Sequence, residues 1–254
     1  MKFENSVAVV TGAGSGIGKA TTELLVKEGA KVILVGRTLA KLEKTASEIN
    51  ELYRTDFAVP FKADVTKEAE IKDLSSYLKK EYGHIDVLIN NAGSSASASI
   101  LELDLAEWQA VHDVNLTSVF LVSKHLSRLM IDAPEKKDRA IVNIASLSGH
   151  KPGAKIPHYS TAKAGVMQFS KALASELAPH AIRVNSVSPG FVETPLTEEG
   201  LSNEKFAKAI ERHTALSRVG TSREIANVIS FAASSEASYM TGTDLLVDGG
   251  WLIT

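Results

Sequence analysis

The sequence has no cysteine, few aromatic residues, almost no net charge and no long hydrophobic run. The absence of cysteine excludes thiolate nucleophiles, zinc-thiolate sites and disulfide bonds, and it fits the reducing cytoplasm that we expect for this chain. A formal net charge of −2 favours neither nucleic acid nor a membrane surface as a partner. No apolar run is long enough to cross a bilayer, and the polar residues 1–5 do not resemble a signal peptide.

What the sequence does contain is an alternation of short apolar runs and longer amphipathic segments. Short β-branched runs are typical of strands that are buried on both faces. We predict strands at Val7–Val10, Val32–Val35, Phe57–Phe61, Val87–Ile89, Ala140–Ile144, Ile182–Val187 and Leu245–Val247. Helical periodicity predicts helices at Lys19–Glu28, Thr38–Leu52, Lys67–Glu81, Tyr159–Ala178 and Ser222–Ala233. This alternation predicts an α/β fold with one parallel sheet and helices on both of its faces.

Residues 1–254 are expected to form a single domain, because the chain has no linker, internal repeat or low-complexity tract. Asp64-Val-Thr66 and Thr221-Ser-Arg-Glu224 resemble the N-terminal caps of helices. The segment Ala133–Arg139 is expected to be an exposed loop. Residues 195–213 combine weak strand signals with scattered helical ones, and we expect them to form a lid over the substrate.

The first predicted strand is followed by the loop Thr11-Gly-Ala-Gly-Ser-Gly-Ile-Gly18 and then by a helix. Glycines let a pyrophosphate approach the backbone, and the N-terminus of the helix offers it free N–H groups. The common G-x-G-x-x-G pattern fails at Ile17, whereas T-G-x-x-x-G-x-G fits. A plain strand-to-helix turn needs fewer glycines, so the loop predicts phosphate binding. The loop residues expected at a dinucleotide are Thr11, Gly12, Ser15, Gly16, Ile17 and Gly18.

The second predicted strand runs into Gly36, Arg37 and Thr38. NAD-binding folds usually place an acid here, about 20 residues after the loop, for the ribose 2′-hydroxyl. Gly36 takes its place, and Arg37 can pair with a 2′-phosphate while Thr38 adds a hydrogen bond. A solvent-facing arginine at the start of a helix would give the same sequence. We therefore favour NADP(H) as cofactor, with NAD(H) as the alternative.

Tyr159-Ser-Thr-Ala-Lys163 lies near the start of a predicted helix, where positions i and i+4 share one face. A free tyrosine has a pKa of about 10, and a neighbouring ammonium favours the phenolate and lowers that pKa. Tyr159 could then act as a general acid or base on a carbonyl or an alcohol. Alone, the motif is weak evidence, because a tyrosine packed beside a solvated lysine occurs in many helices by chance.

Two further polar residues give this pair a context. Ser146 ends a predicted strand, and active groups in parallel sheets collect at the carboxyl ends of strands. Its hydroxyl could hold a substrate oxygen beside Tyr159. Asn115 lies in an apolar helix pattern and needs a polar partner there, which a water chain to Lys163 would supply. The alternatives are an ordinary strand-to-loop serine and a structural amide.

Together these motifs resemble those of the short-chain dehydrogenase/reductase family over nearly the whole chain, in an order and spacing that are highly specific. The matching motifs are Thr11-Gly-Ala-Gly-Ser-Gly-Ile-Gly18, Asp64-Val65, Asn90-Asn-Ala-Gly93, Asn115, Ser146, Tyr159-Ser-Thr-Ala-Lys163, Ser188-Pro-Gly190 with Thr194, and Val247-Asp-Gly-Gly250. The resemblance implies a Rossmann-like, doubly wound sheet of seven parallel strands in the order 3-2-1-4-5-6-7. It also implies a homo-oligomer, a tetramer or a dimer, built on helix faces.

The resemblance also implies roles for single residues. Asn115, Ser146, Tyr159 and Lys163 match the catalytic tetrad of the family, and Tyr159 and Lys163 would also contact the cofactor. The other implied cofactor contacts are Asp64 and Val65 at the adenine, Asn91, Ala92 and Gly93 along the cofactor, and Pro189, Gly190, Val192 and Thr194 at the nicotinamide end. Ser15 departs from the basic residue that some NADP-preferring members have. The chain is also too short for the extended branch of the family.

The expected reaction is hydride transfer between NADP(H) and a carbonyl or secondary alcohol, with Tyr159 exchanging the proton on oxygen and no metal. An NAD-dependent alcohol or sugar dehydrogenase of the same fold is one alternative, and a non-catalytic nucleotide-binding regulator is another. The substrate is expected to be a small molecule, and a 3-oxoacyl thioester, a sugar and a small ketone all stay open. The expected substrate contacts are Ser146, Ser148, His150 and Tyr159, with residues 94–100 and Ile156 nearby.

Overall fold

The computed structural model describes residues 1–133 and 138–254 as one alternating series of strands and helices. The main strands are β1 (Val7–Thr11), β2 (Lys31–Gly36), β3 (Ala58–Lys62), β4 (Val87–Asn90), β5 (Arg139–Ile144) and β6 (Ile182–Pro189). The chain then forms the short strands β7 (Val192–Glu193) and β8 (Gly220–Thr221) and ends with β9 (Asp244–Val247). The helices are α1 (Gly16–Lys27), α2 (Leu39–Tyr53), α3 (Glu68–Glu81), α4 (Leu105–His112), α5 (Ser118–Ile131), α6 (Pro157–Leu177), α7 (Glu198–Leu201), α8 (Glu204–His213) and α9 (Ser222–Ala233).

The main sheet has seven strands, all parallel, in the order β3-β2-β1-β4-β5-β6-β9. Because β7 and β8 pair only with each other, β9 is the seventh strand of the main sheet. The predicted order 3-2-1-4-5-6-7 and the doubly wound α/β fold are therefore confirmed.

Helices cover both faces of this sheet, and each face has its own hydrophobic core. Successive side chains of a strand point to opposite faces. Val10 and Leu34 accordingly pack into one core, and their neighbours Val9 and Ile33 pack into the other. Each fully buried side chain of this size contributes about 1.5–3 kcal/mol. This double burial explains why the central strands are continuous apolar runs in the sequence.

The ends of some elements differ from the sequence predictions. Helix α1 begins at Gly16 inside the glycine loop, three residues earlier than predicted. Asp64 does not cap α3: Lys67 holds that position, and the Asp64 carboxylate accepts hydrogen bonds from Thr66 instead. The predicted capping box of Thr221 with Glu224 is confirmed.

The segment 195–213 and the predicted loop Ala133–Arg139 can also be compared with the structure. Residues 195–213, where we predict weak strand signals and scattered helical ones, contain the short helices α7 and α8. Arg139, expected at the end of an exposed loop, is buried and begins β5, and residues 134–137 of that loop lie outside the described residues. In the described part of the chain no helix combines the length and apolar character that a bilayer span requires.

Candidate active site

The loops that carry the predicted site residues meet along one edge of the sheet. Strand pairing places Val10 beside Ile89, Asn90 beside Asn143, and Ile144 beside Val187. The carboxyl ends of β1, β4, β5 and β6 are therefore nearly level, and the segments that follow them lie side by side. In open α/β sheets, ligands bind at this edge.

Thr11 and Asn91 join the glycine loop to the loop after β4. The Thr11 hydroxyl accepts hydrogen bonds from the backbone N–H groups of Asn91 and Ala92, both at 3.0 Å. The Asn91 amide in turn donates to the carbonyl oxygens of Thr11 at 2.9 Å and Gly12 at 3.2 Å. A Cβ atom at Gly18 would lie 2.3 Å from the Gly12 oxygen, so only glycine fits this close approach.

The N-terminus of α1 is open to an anion. The side chain of Ser15 makes no capping hydrogen bond, and the first turn of α1 contains no acidic residue. Such a terminus favours negative charge and offers unpaired N–H groups. Thr194 faces the loop, within 3.3 Å of where a Cβ of Gly16 would lie. The loop backbone, this helix terminus and Thr194 therefore fit a pyrophosphate group.

Arg37, Thr38 and Asp64 lie beyond this loop, where β2 and β3 end. Arg37 is exposed, and Thr38 precedes α2 without a side-chain capping bond. Burial raises the pKa of Asp64, but hydrogen bonds from Thr66 and the charges of Arg37 and Lys67 outweigh it and lower that pKa. Val65 is buried in the core. Asp64 and Arg37 are the charged groups of this set.

Ser146, Tyr159 and Lys163 come together where β5 meets α6. The turn after Ser146 packs closely on α6, since a Cβ atom at Gly149 would lie 3.0 Å from the backbone nitrogen of Ala164. The ammonium of Lys163 lies 5.7 Å from the centre of the Tyr159 ring and donates a hydrogen bond of 2.8 Å to the Ile144 carbonyl. Tyr159 also has a side-chain hydrogen bond with Ser146. The three predicted residues therefore lie together in the structure.

Burial controls the protonation of these groups. It raises the pKa of Tyr159, and a hydrogen bond with Ser146 acts in the lowering direction without reversing it. This direction is opposite to our expectation that the Lys163 ammonium would lower the tyrosine pKa. Burial also lowers the pKa of Lys163 to about 8, because a low-dielectric environment disfavours the charged ammonium.

Asn115 lies in a π-helical turn, Asp113–Thr117, between α4 and α5. Its side-chain nitrogen donates to the carbonyl oxygens of Ser94 at 2.7 Å and Val111 at 2.9 Å. Its side-chain oxygen is buried and has no partner. This oxygen and the Lys163 ammonium both lie against Gly93. An unsatisfied buried acceptor close to an ammonium is a setting in which proteins place bridging water.

The remaining predicted contacts lie around this centre. Ser148 donates its backbone N–H to the Ser146 hydroxyl at 3.1 Å. His150 is exposed, and its Nε2 is 2.8 Å from the Asp244 carboxylate, which leaves Nδ1 for other contacts. Gly190 donates its N–H to the Val247 carbonyl at 2.9 Å. The side chain of Val192 is buried.

Sequence reasoning missed two contributors to the site. The Ile144 carbonyl that holds Lys163 is a backbone group, and no residue type could have marked it. Thr197 accepts a hydrogen bond of 3.1 Å from the Thr194 backbone, and the two hydroxyls are 3.2 Å apart. The spacing Thr194-x-x-Thr197 is the signal that could have predicted a hydroxyl within reach of the backbone three residues earlier.

A protein-family model described as enoyl-(acyl carrier protein) reductase matches residues 12–252. The chain is 39% identical over 254 residues to the 3-oxoacyl-[acyl-carrier-protein] reductase FabG of Thermotoga maritima, with 100% of both chains covered. It belongs to the short-chain dehydrogenase/reductase family of oxidoreductases.

Solved structures of this family agree with the fold. A short-chain type dehydrogenase/reductase from Mycobacterium marinum has a TM-score of 0.93 at 35% identity, covering 100% of this chain and 98% of that one. A putative gluconate dehydrogenase from Agrobacterium tumefaciens has a TM-score of 0.95 at 31% identity, with the same coverage. Proteins named for a 3-oxoacyl group and for gluconate are therefore both similar to this chain.

The lowered pKa of Lys163 predicts a pH-dependent stability in this family member. Between pH 8 and the unperturbed value of 10.5, the unfolded lysine is protonated while the folded one is neutral, so the free energy of unfolding rises with pH. We expect the free energy of unfolding of the wild type to rise relative to that of Lys163→Met by up to about 1.4 kcal/mol per pH unit in this window. Urea unfolding at several pH values measures the difference.

Lys171→Met is the matched control, since Lys171 is an exposed lysine on the same helix. Its difference from the wild type is expected to be constant over this pH range. A constant difference for Lys163→Met as well would contradict the account of Lys163 as a buried, destabilised ammonium.

Proposed function

We propose that this chain is an NADPH-dependent reductase whose substrate is a 3-oxoacyl group carried as a thioester. The observation that carries the proposal is the pair of hydroxyls of Ser146 and Tyr159 at the same sheet edge as the open N-terminus of α1. Two hydroxyls can hold one carbonyl oxygen, and the helix terminus can hold a dinucleotide. The relative from Thermotoga maritima, matched over its full length, is named as a 3-oxoacyl-[acyl-carrier-protein] reductase.

In the proposed reaction, the substrate oxygen lies between the Ser146 and Tyr159 hydroxyls. Ser146 orients that oxygen, and Tyr159 gives it a proton as negative charge develops. At neutral pH the phenol is protonated, because a free tyrosine has a pKa of about 10 and burial raises that of Tyr159. A protonated donor suits reduction of a carbonyl, whereas oxidation of an alcohol needs the phenolate.

Lys163 and Asn115 support this proton transfer. The Lys163 ammonium is held at the Ile144 carbonyl, where it can replace the proton that Tyr159 gives away. With a pKa of about 8, Lys163 exchanges protons readily near neutral pH. The unpartnered Asn115 oxygen can hold a water that links Lys163 to solvent, as the sequence analysis proposed.

The cofactor, when bound, supplies the hydride from its nicotinamide ring. We propose that residues 11–18 and 91–93 hold its pyrophosphate and central part, and that Asp64 and Val65 border the adenine. Pro189, Gly190, Val192 and Thr194 would contact the nicotinamide end. Arg37 and Thr38 would hold the 2′-phosphate, which favours NADPH over NADH.

Residues 195–213 would cover the substrate as a lid, and Ser148 and His150 would contact it at the edge of the site. We further propose a homo-oligomer, a dimer or a tetramer. The partly exposed rings of Phe120 on α5 and Phe231 on α9 support helix-face contacts between subunits, because exposed apolar surface often marks such interfaces.

Tyr159→Phe is expected to lower kcat for a 3-oxoacyl thioester by at least about 100-fold, the usual contribution of a general acid. The dissociation constant of NADPH should change by less than about threefold, because the ring and its packing are kept. The decrease in NADPH absorbance measures turnover, and calorimetric titration measures cofactor binding.

Tyr53→Phe is the matched control, because Tyr53 is a half-buried tyrosine on α2 whose hydroxyl bonds to Glu23. Parallel assays with an enoyl thioester and with gluconate plus NADP⁺ test the reactions in the names of other similar proteins. Wild-type turnover in Tyr159→Phe would refute the assigned proton donor, and preference for either other substrate would refute the assigned reaction.

Arg37→Ala is expected to weaken NADPH binding by about 10- to 100-fold, since a hydrogen bond to a charged group contributes about 1.5–3 kcal/mol. NADH binding should change by less than about threefold, because NADH has no 2′-phosphate. Titration of both cofactors measures the effect. Lys44→Ala removes an equal charge from an exposed lysine on α2 and should spare both affinities. An equal loss for the two cofactors in Arg37→Ala would exclude a 2′-phosphate contact.

A further inference from the structure

The segment that we propose as a lid, residues 195–213, buries few apolar side chains. In α8, Ile210 is the buried residue, and the ring of Phe206 is 42% exposed. The helix also presents charged residues such as Lys208 and Glu204 to solvent. A segment with so little buried apolar surface is expected to open at low free-energy cost, so each remaining contact matters for its position.

Three aromatic rings supply such contacts. The rings of Phe206 and Phe191 are 5.7 Å apart and nearly perpendicular, at 83°. The rings of Phe191 and Trp251 are 4.9 Å apart at 64°. Edge-to-face pairs at these distances are favourable beyond their buried area. Phe191 thus lies between the helix α8 residue Phe206 and the C-terminal residue Trp251.

Hydrogen bonds hold the C-terminal turn that carries Trp251. The Asp248 carboxylate accepts hydrogen bonds from the backbone of Gly250 at 2.8 Å and Leu252 at 3.0 Å. The Thr254 hydroxyl donates to the carbonyl of His213, the last residue of α8, at 2.5 Å. The end of α8 is therefore tied to the same turn that positions Trp251.

Phe191 also belongs to the segment that we assign to the nicotinamide end of the cofactor. It follows Gly190, and the same segment continues to Thr194, which lies against the glycine loop. A cavity of about 90 Å³ borders Phe191, with Leu216, Ile225 and Val247 among its other lining residues. Phe191 therefore borders free space.

We propose that Phe191, Phe206 and Trp251 form an aromatic latch, which holds residues 195–213 over the substrate and links their position to cofactor binding. The three rings are positioning residues, since they act on the substrate through α7 and α8. The link to cofactor and substrate rests on the proposed function, whereas the mechanical role of the latch does not.

The first experiment measures amide hydrogen exchange of residues 195–213 in the ligand-free protein. Phe206→Leu keeps apolar bulk but removes the ring, and it should speed exchange there by about two- to tenfold, the range for an aromatic pair. Phe206→Tyr keeps the ring and should restore wild-type exchange. Tyr82→Leu is the matched control, because it removes one ring of the separate cluster of Phe61, Tyr77 and Tyr82.

The second experiment uses the fluorescence of Trp251. The chain has two tryptophans, so Trp108→Phe leaves Trp251 as the sole reporter. NADP⁺ is expected to change its emission and its quenching by acrylamide, with the midpoint that calorimetry gives for NADP⁺ binding. In the double variant with Phe206→Leu, the fluorescence change should be lost while NADP⁺ affinity stays within about threefold.

Steady-state kinetics provide the third readout. Phe206→Leu should raise KM for the 3-oxoacyl thioester by about two- to tenfold, with a smaller effect on kcat, because the ring touches no reacting atom.

Wild-type exchange in Phe206→Leu, or equal acceleration of exchange in Tyr82→Leu, would overturn the latch. Bound NADP⁺ without a change in Trp251 emission would overturn its link to the cofactor. Failure of the proposed function has a different signature: the latch variants alter exchange, but the wild type neither binds NADP⁺ nor oxidises NADPH.

Discussion

The parallel pairing of β4, β5 and β6 is the constraint on which the site depends. Because all three strands end at the same edge, the segments that carry Asn91, Ser146 and Gly190 emerge side by side. Helix α6 begins at that edge and carries Tyr159 and Lys163 in its first two turns. Ser146 and Tyr159 are thirteen residues apart in the sequence, and the packing of the turn after Ser146 on α6 brings them together. The fold therefore creates the cluster, and the residue types give it chemistry.

The same region holds two buried polar groups that cost stability. Lys163 is almost fully buried with a lowered pKa, and the Asn115 oxygen is buried without a partner. Either group alone costs stability, because a buried polar group without compensation is unfavourable. Both groups lie against Gly93, where a bridging water can bind to each of them. The well-packed sheet beneath them offsets the cost in stability.

Much of the fold could be predicted from the sequence because the physics is local and repeated. Strands buried on both faces must be apolar throughout, so the sequence predicts runs such as Val32–Val35 as strands. The helices within residues 195–213 could not be predicted, because their short, exposed turns bury few apolar side chains and leave no strong periodicity. The pKa of Tyr159 was predicted in the wrong direction, because burial depends on packing that residue spacing does not reveal. The π-helical turn that aims Asn115 is likewise set by tertiary contacts.

In the proposed function, this site holds a carbonyl for direct hydride transfer from a bound nicotinamide. The most direct test is mass spectrometry of the 3-hydroxyacyl product formed from NADPH that carries deuterium at C4, with each of the two stereospecific labels in turn. We expect one deuterium on the carbinol carbon from one label and none from the other. Product that contains no deuterium from either label, formed while NADPH is consumed, would contradict it.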